Sequence, residues 1–128
     1  MILYLSIFIG GGLFGWIIDT AYRTWQAKHY TPGTMVPFFS IIYGLAAVLL
    51  YILFSFFQTS FYLHIILGTI TCIFLELITG ILALAILKRR FWDYSASRFN
   101  YHGLIDAKHS FYWLILTILY RIIYPVLA

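Results

Sequence analysis

Residues 61–87 read FYLHIILGTITCIFLELITGILALAIL and contain one charged residue, Glu76. A helix needs ~20 mostly apolar residues to cross ~30 Å of hydrocarbon, and this stretch exceeds that length. It is also too long for an outer-membrane β-strand, and its apolar residues do not alternate with polar ones. The stretch therefore predicts a transmembrane helix.

Three further apolar stretches accompany it, at roughly 2–22, 35–57 and 109–127. Of the 128 residues, 63% are hydrophobic and 9% are charged, whereas soluble domains average ~45–50% apolar and ~25% charged residues. We therefore expect a single transmembrane domain, 1–128, folded as an all-α bundle of four spans with short loops. Such a chain leaves no room for a soluble catalytic domain, and its sequence has no GxxxxGK[ST] phosphate-binding loop.

The basic residues are concentrated in two of the connecting segments. Arg23 and Lys28 lie in or beside the first loop, and five more lie in or beside the third: Lys88, Arg89, Arg90, Arg98 and Lys108. Cytoplasmic loops are enriched in Lys and Arg. We therefore expect a protein of the cell membrane with both loops, including 88–108, on the cytoplasmic side and both termini on the outer side. Basic and aromatic residues alternate in the 88–108 loop, which suits contact with membrane lipids; no nucleic acid partner is expected.

Three charged residues remain within the predicted spans: Asp19, Glu76 and Arg121. An ionised side chain at the bilayer centre costs at least ~2.5–3.5 kcal/mol, and intramembrane charges commonly mark substrate or ion pathways. The rise of a helix places Glu76 and Arg121 at similar depths, which predicts that they pair. With Tyr43 of the second span, the three residues form the candidate substrate or ion site. The alternative is a structural ion pair that fixes helix register.

Small residues recur four positions apart in two of the spans. The first span contains Gly11-x-x-x-Gly15, a spacing that permits close approach of two helices in lipid. The third span carries a small and polar stripe: Gly68, Cys72, Glu76 and Gly80. We expect this stripe to face protein rather than lipid.

His102, Asp106 and His109 form a candidate metal-ligand set. If the segment were helical, two imidazoles and a carboxylate would share one face, an arrangement that can bind a divalent metal. Gly103 argues against a continuous helix there. The alternative is that Asp106 and His109 form the polar start of the fourth span, where an acidic residue is favourable.

Several motifs resemble those of a known family. They are Trp92-Asp93-Tyr94-Ser95, Phe99-Asn100, Gly103-x-Ile105, Gly15-Trp16 with Asp19, Ile42-Tyr43-Gly44, and Leu75-Glu76-Leu77-x-Thr79-Gly80. In this order they resemble the motifs of the putative ABC-transporter type IV (CmpB-like) membrane proteins over essentially the whole chain. The resemblance implies a role in transport.

The chain departs from the family pattern at four places. Asp19 stands where the family usually has Glu, Thr31-Pro32-Gly33 replaces Asn-Arg-Gly, and Gly103-Leu104-Ile105-Asp106 replaces G-R-I-C. The second acid that usually follows the L-E-x-x-T-G stretch is missing in 82–86. These departures change the polar groups that the family would otherwise share, and some of them, such as Leu104 in place of Arg and the missing second acid, remove a charge.

We therefore expect a small permease-like transport subunit. Because four spans enclose little space, a homodimer or a partner membrane subunit is expected. No cofactor is expected, and the sequence favours a non-enzymatic protein. Two alternatives stay open. One is a membrane-embedded enzyme that acts on lipid headgroups at the cytoplasmic interface through His102, Asp106 and His109, and the other is a non-catalytic assembly or scaffold protein.

Overall fold

The computed structural model describes residues 1–30 and 38–128, and most of these residues are helical. The four α-helices are α1 (Ile2–Ala27), α2 (Ile41–Phe56), α3 (Phe61–Leu82) and α4 (Ala107–Leu127). The chain continues from α3 in π-helical form over Ala83–Leu87. A small antiparallel sheet precedes α4, formed by β1 (Asn100–Tyr101) and β2 (Ile105–Asp106).

Three helices are long and apolar enough to cross a membrane: α1, α3 with its π-helical continuation, and α4. The prediction of a mostly helical chain with helices long and apolar enough to span a membrane is thereby confirmed for three of the four spans. Helix α2 is apolar but has only 16 residues, a length of about 24 Å. The predicted second span begins at residue 35, and residues 35–37 lie outside the described residues. The fourth predicted span is therefore seen only as a short apolar helix.

The described residues form two compact units, Met1–Val48 and Leu49–Ala128. In the first unit, α1 packs closely against the start of α2. A Cβ atom added to Gly11 would lie 2.6 Å from the Cβ of Ala47, and one added to Gly15 would lie 2.2 Å from the Cβ of Tyr43. The Gly11-x-x-x-Gly15 spacing therefore brings two helices together, as predicted, because only glycine allows this approach.

In the second unit, α3 packs against α4 through its stripe of small and polar residues. Gly68, Cys72, Glu76 and Gly80 are all buried, which confirms that this face of the helix contacts protein. The opposite face exposes large apolar side chains, among them Ile66, Ile70, Phe74, Ile78 and Ile81. Exposed apolar residues in such a continuous row are typical of a surface that contacts lipid.

Candidate functional site

The loop between α3 and α4, residues 88–108, folds back against α3; we call it the cap loop. The indole Nε1 of Trp92 donates to the carbonyl of Leu104 at 2.8 Å, and the backbone N–H of Tyr94 donates to the carbonyl of Gly103 at 2.8 Å. A Cβ atom added to Gly80 would lie 2.9 Å from Leu104 and 3.2 Å from Trp92. Gly80 therefore provides the space in which the cap loop rests on α3.

Side-chain hydrogen bonds hold the cap loop in one conformation. Asn100 accepts from the N–H of Gly103 at 2.9 Å and donates to the carbonyl of Ser97 at 2.7 Å. Asp93 accepts from both the hydroxyl and the backbone N–H of Ser95, and these two bonds, in that order, hold the pKa of the Asp93 carboxyl below its usual range. These side-chain hydrogen bonds make the cap loop a folded unit rather than a free linker.

Tyr94 connects the cap loop to Glu76. Its hydroxyl donates to Oε2 of Glu76 at 3.2 Å, and Glu76 is 6% exposed. The indole of Trp113 lies beside the same carboxylate, yet among the described residues no donor is placed to hydrogen-bond Oε1. A buried carboxylate oxygen without a partner is unfavourable unless a proton, a cation or a water molecule satisfies it.

His109 and Asp106 extend this polar contact toward the start of α4. The imidazole of His109 stacks on the ring of Tyr94, with centroids 3.9 Å apart and planes 7° apart. Asp106 caps α4 by accepting from the backbone N–H of His109 at 2.7 Å, and its Oδ1 also lies 2.7 Å from Nδ1 of the same residue. Asp106, His109, Tyr94 and Glu76 therefore form one continuous group of polar contacts.

The Asp106 cap predicts an acid-dependent loss of stability. Burial alone would raise the pKa of Asp106, but hydrogen bonds from the backbone and imidazole of His109 outweigh it and lower that pKa. The unfolded value is about 3.9, so the stabilisation is complete above that pH and is lost as the pH falls through the lower folded value. We expect the melting temperature of the detergent-purified protein to fall in this range.

The variant Asp106→Asn isolates this contribution, because asparagine still caps the helix but does not titrate. At neutral pH we expect it to cost about 1 kcal/mol, the typical value of one hydrogen bond. Below about pH 4 its melting temperature is expected to change less steeply than that of the wild type. Equal slopes in the two proteins would show that Asp106 is not the titrating group.

The predicted ion pair between Glu76 and Arg121 is wrong. Nε of Arg121 donates to Nδ1 of His64 at 2.9 Å, whereas Glu76 contacts Tyr94. The prediction assumed that the midpoints of the third and fourth spans lie at the same depth, which would place Glu76 and Arg121 at similar levels. In the structure Gly68 lies against Thr117, which sets a different register, and Glu76 lies about 18 Å beyond His64 along α3.

Asp19 and Tyr43, also predicted as site residues, belong to the first unit and have local partners. Asp19 forms a salt bridge with Arg23 one turn along α1, at 2.9 Å between Oδ2 and Nε. Their side chains are 25% and 30% exposed, so this pair is only partly buried. Tyr43 packs on Gly15. A carboxylate and a guanidinium at this spacing neutralise each other within one helix.

The predicted metal-ligand set is not assembled. Within residues 1–30 and 38–128, no group of three His, Cys, Asp or Glu side chains could hold a metal ion. Asp106 and His109 are adjacent because Asp106 caps α4, which was the alternative offered by the sequence. His102 is exposed and packs edge-on against the ring of Tyr101, with centroids 4.4 Å apart.

The sequence did not predict His64 as the partner of Arg121 or Trp113 as a neighbour of Glu76. His64 lies four residues before Gly68 and so extends the stripe on α3 by one turn. Trp113 lies four residues before Thr117 on α4. The four-residue spacing could therefore have identified both of them as residues that face the helix interface.

A family model described as putative ABC-transporter type IV matches residues 6–128. The chain belongs to this family. No curated protein and no solved structure shows a significant match to it.

Two of the family motifs lie in direct contact in this chain. Tyr94 of the Trp-Asp-Tyr-Ser motif hydrogen-bonds Glu76 of the Leu-Glu-x-x-Thr-Gly motif, and Trp92 of the first motif lies over Gly80 of the second. The motifs thus specify how the cap loop docks on α3. The family departure at Thr31-Pro32-Gly33 lies outside the described residues.

Proposed function

We propose that this ABC-transporter type IV protein is a small permease-like transport subunit of the cell membrane. In this proposal it has four spans, its cap loop is cytoplasmic and both termini are outside. The family assignment, the three long apolar helices and the concentration of basic residues in two loops support it. A second copy or a partner membrane subunit would complete the pathway, because four spans enclose little space.

The proposed solute-contact site is Glu76 together with Tyr94 and Trp113. The observation that supports it most directly is the buried Oε1 of Glu76, to which no described residue donates a hydrogen bond. No Lys or Arg forms a salt bridge with this carboxylate among the described residues. A carboxylate in such surroundings favours a proton or a small cation, since either one removes the unsatisfied charge.

In the proposed mechanism, Tyr94 controls access to Glu76 from the cytoplasmic side. The hydroxyl of Tyr94 occupies Oε2 of Glu76 in the docked cap loop, which leaves only Oε1 for the solute. Protonation or cation binding at Glu76 weakens its attraction for the Tyr94 hydroxyl, because a neutral acceptor forms a weaker hydrogen bond than a charged one. Solute binding would thereby favour undocking of the loop.

We exclude Asp19 and Tyr43 from the proposed site. Asp19 already has Arg23 as its counter-ion, and Tyr43 packs on Gly15. Arg121 is also excluded, because its hydrogen-bond partner is His64 at the other end of α3. The proposal therefore depends on a single intramembrane carboxylate.

The test is flux through the purified full chain reconstituted in liposomes. Proton uptake is followed with an internal pH-sensitive dye, and Na⁺ and K⁺ uptake with the corresponding ion-sensitive dyes. The variant Glu76→Gln keeps the volume of the side chain. Its amide can neither take up and release a proton nor offer a negative charge to a cation. We expect it to reduce the wild-type flux at least ten-fold while its melting temperature in detergent stays close to that of the wild type.

The matched control is Thr71→Val, on the same helix, because the Thr71 hydroxyl donates only to the Leu67 carbonyl of its own helix. This variant is expected to retain the wild-type flux. Equal flux through Glu76→Gln and the wild type would contradict the proposed site. The absence of proton, Na⁺ and K⁺ flux through the wild type would contradict the proposal and favour an assembly or scaffold protein.

A further inference from the structure

Arg121 is held at the end of the α3–α4 pair that lies opposite the cap loop. Its Nε donates to Nδ1 of His64 at 2.9 Å. A guanidinium has only donors, so Nδ1 must accept, and His64 is therefore the neutral tautomer with its proton on Nε2. That Nε2–H donates in turn to the backbone carbonyl of Phe57. The imidazole thus fixes the guanidinium without neutralising its charge.

Three aromatic rings surround the same guanidinium. Its central carbon lies 5.9 Å from the ring centroid of Phe54, 5.6 Å from that of Phe61 and 5.7 Å from that of Tyr124. Rings at this distance attract a cation through their electron-rich faces. The rings and His64 hold the side chain in a defined position, with Nε as the nitrogen that bonds His64.

The chain supplies no carboxylate side chain to balance this charge. It contains four Asp and Glu residues, and each has another partner. Asp19 pairs with Arg23, Asp93 bonds Ser95, Asp106 bonds His109 and Glu76 bonds Tyr94. Within the described part of the chain, Arg121 forms no salt bridge. An anion from outside the chain at the membrane interface could therefore supply the counter-ion that these four carboxylates do not.

The depth of Arg121 matches that of lipid phosphates. Its partner His64 lies within about 5 Å of the start of α3, near the end of the span and about 18 Å from Glu76 along the helix. Phosphate groups of lipids lie at this level of a bilayer, and the planar fork of arginine binds phosphate oxygens in pairs.

We propose that Arg121, held by His64 and the three rings, is a binding site for a phosphate-type oxyanion at the membrane surface opposite the cap loop. The oxyanion is either the headgroup of an anionic phospholipid or a free phosphate, and the two sources share the same recognition chemistry. Nη1 and Nη2 bind two of its oxygens. This site does not depend on the transport role proposed for Glu76.

The test measures binding to the detergent-purified full chain by the shift in melting temperature on titration. One arm uses inorganic phosphate and the other uses a short-chain phosphatidylglycerol. We expect saturable binding to the wild type and at least ten-fold weaker binding to Arg121→Gln. The matched control is Arg98→Gln, which removes an exposed arginine from the cap loop and is expected to change the affinity less than two-fold.

Binding of phosphatidylglycerol alone would identify a lipid headgroup site, and binding of both ligands would identify a site for free phosphate as well. Equal affinity of Arg121→Gln and the wild type, or the absence of binding to the wild type in both arms, would overturn the proposal. If Arg121→Gln does not fold, Arg121→Lys decides, because lysine keeps the charge but lacks the planar fork. Binding at least three-fold weaker supports the site, and unchanged binding overturns it.

Discussion

Replacement of Gly103 by valine is expected to detach the cap loop from α3 and to lower the free energy of unfolding by about 3 kcal/mol. Gly103 has φ +70, and a Cβ atom added to it would lie 2.5 Å from Oδ1 of Asp93 and 2.6 Å from Oγ of Ser95. A β-branched residue is strongly disfavoured at positive φ. The substitution therefore combines backbone strain with a collision against the hydrogen bonds that hold the loop.

Limited digestion with trypsin would detect the detached loop, because Arg98 is an exposed cleavage site within it. We expect cleavage at Arg98 to be at least ten-fold faster in Gly103→Val than in the wild type. The control is Ala96→Val, which gives the same final side chain at an exposed position of the same loop. If Gly103→Val and Ala96→Val were cleaved and melted alike, the close approach at Gly103 would not stabilise the loop.

Replacement of Gly15 by leucine is the second change with a large expected effect. A Cβ atom added to Gly15 would lie 2.2 Å from both Cβ and Cγ of Tyr43, so α1 and the start of α2 would have to separate. Forcing extra atoms into a packed contact typically lowers the free energy of unfolding by about 1–3 kcal/mol. Because this substitution also displaces two helix backbones, we expect the largest value in that range. We expect a loss of about 3 kcal/mol and a lower yield of folded protein.

Gly10 provides the matched control, because among the described residues no atom beyond its chain neighbours and its own helix backbone lies within 4 Å of a Cβ added to it. The variant Gly10→Leu places the same side chain on the same helix and is expected to leave the melting temperature almost unchanged. Tryptophan fluorescence of the detergent-purified proteins during heating measures both variants. Similar melting temperatures for Gly15→Leu and Gly10→Leu would contradict the packing described for the first unit.

The helices of the fold could be predicted largely from hydropathy, because long apolar runs are stable as helices in lipid. Residues 61–87 were predicted as one span and form α3 with its π-helical continuation. The short sheet in the cap loop was not predicted, since β1 and β2 each contain only two residues. Strands of that length depend on tertiary contacts, here the turn at Gly103, rather than on a local pattern.

The candidate site could be predicted only in part. The buried position of Glu76 followed from the four-residue stripe on α3, because such a stripe marks the face that contacts protein. Its partner could not be derived, because the relative register of two antiparallel helices depends on close contacts such as that of Gly68 with Thr117. The 88–108 loop was expected to contact membrane lipids, and the docking of this loop on α3 brings its Tyr94 hydroxyl to Glu76.

The separation of Glu76 from Arg121 has an electrical consequence. A directly paired carboxylate and guanidinium would carry no net dipole across the bilayer and would be insensitive to the transmembrane voltage. With about 18 Å between their levels along α3 and Arg121 at the level of the lipid phosphates, an ionised Glu76 lies about 12 Å inside the hydrocarbon region of ~30 Å. A membrane potential of about 100 mV would then change the energy of the two separated charges by about 1 kcal/mol, and neutralising Glu76 would remove that voltage dependence.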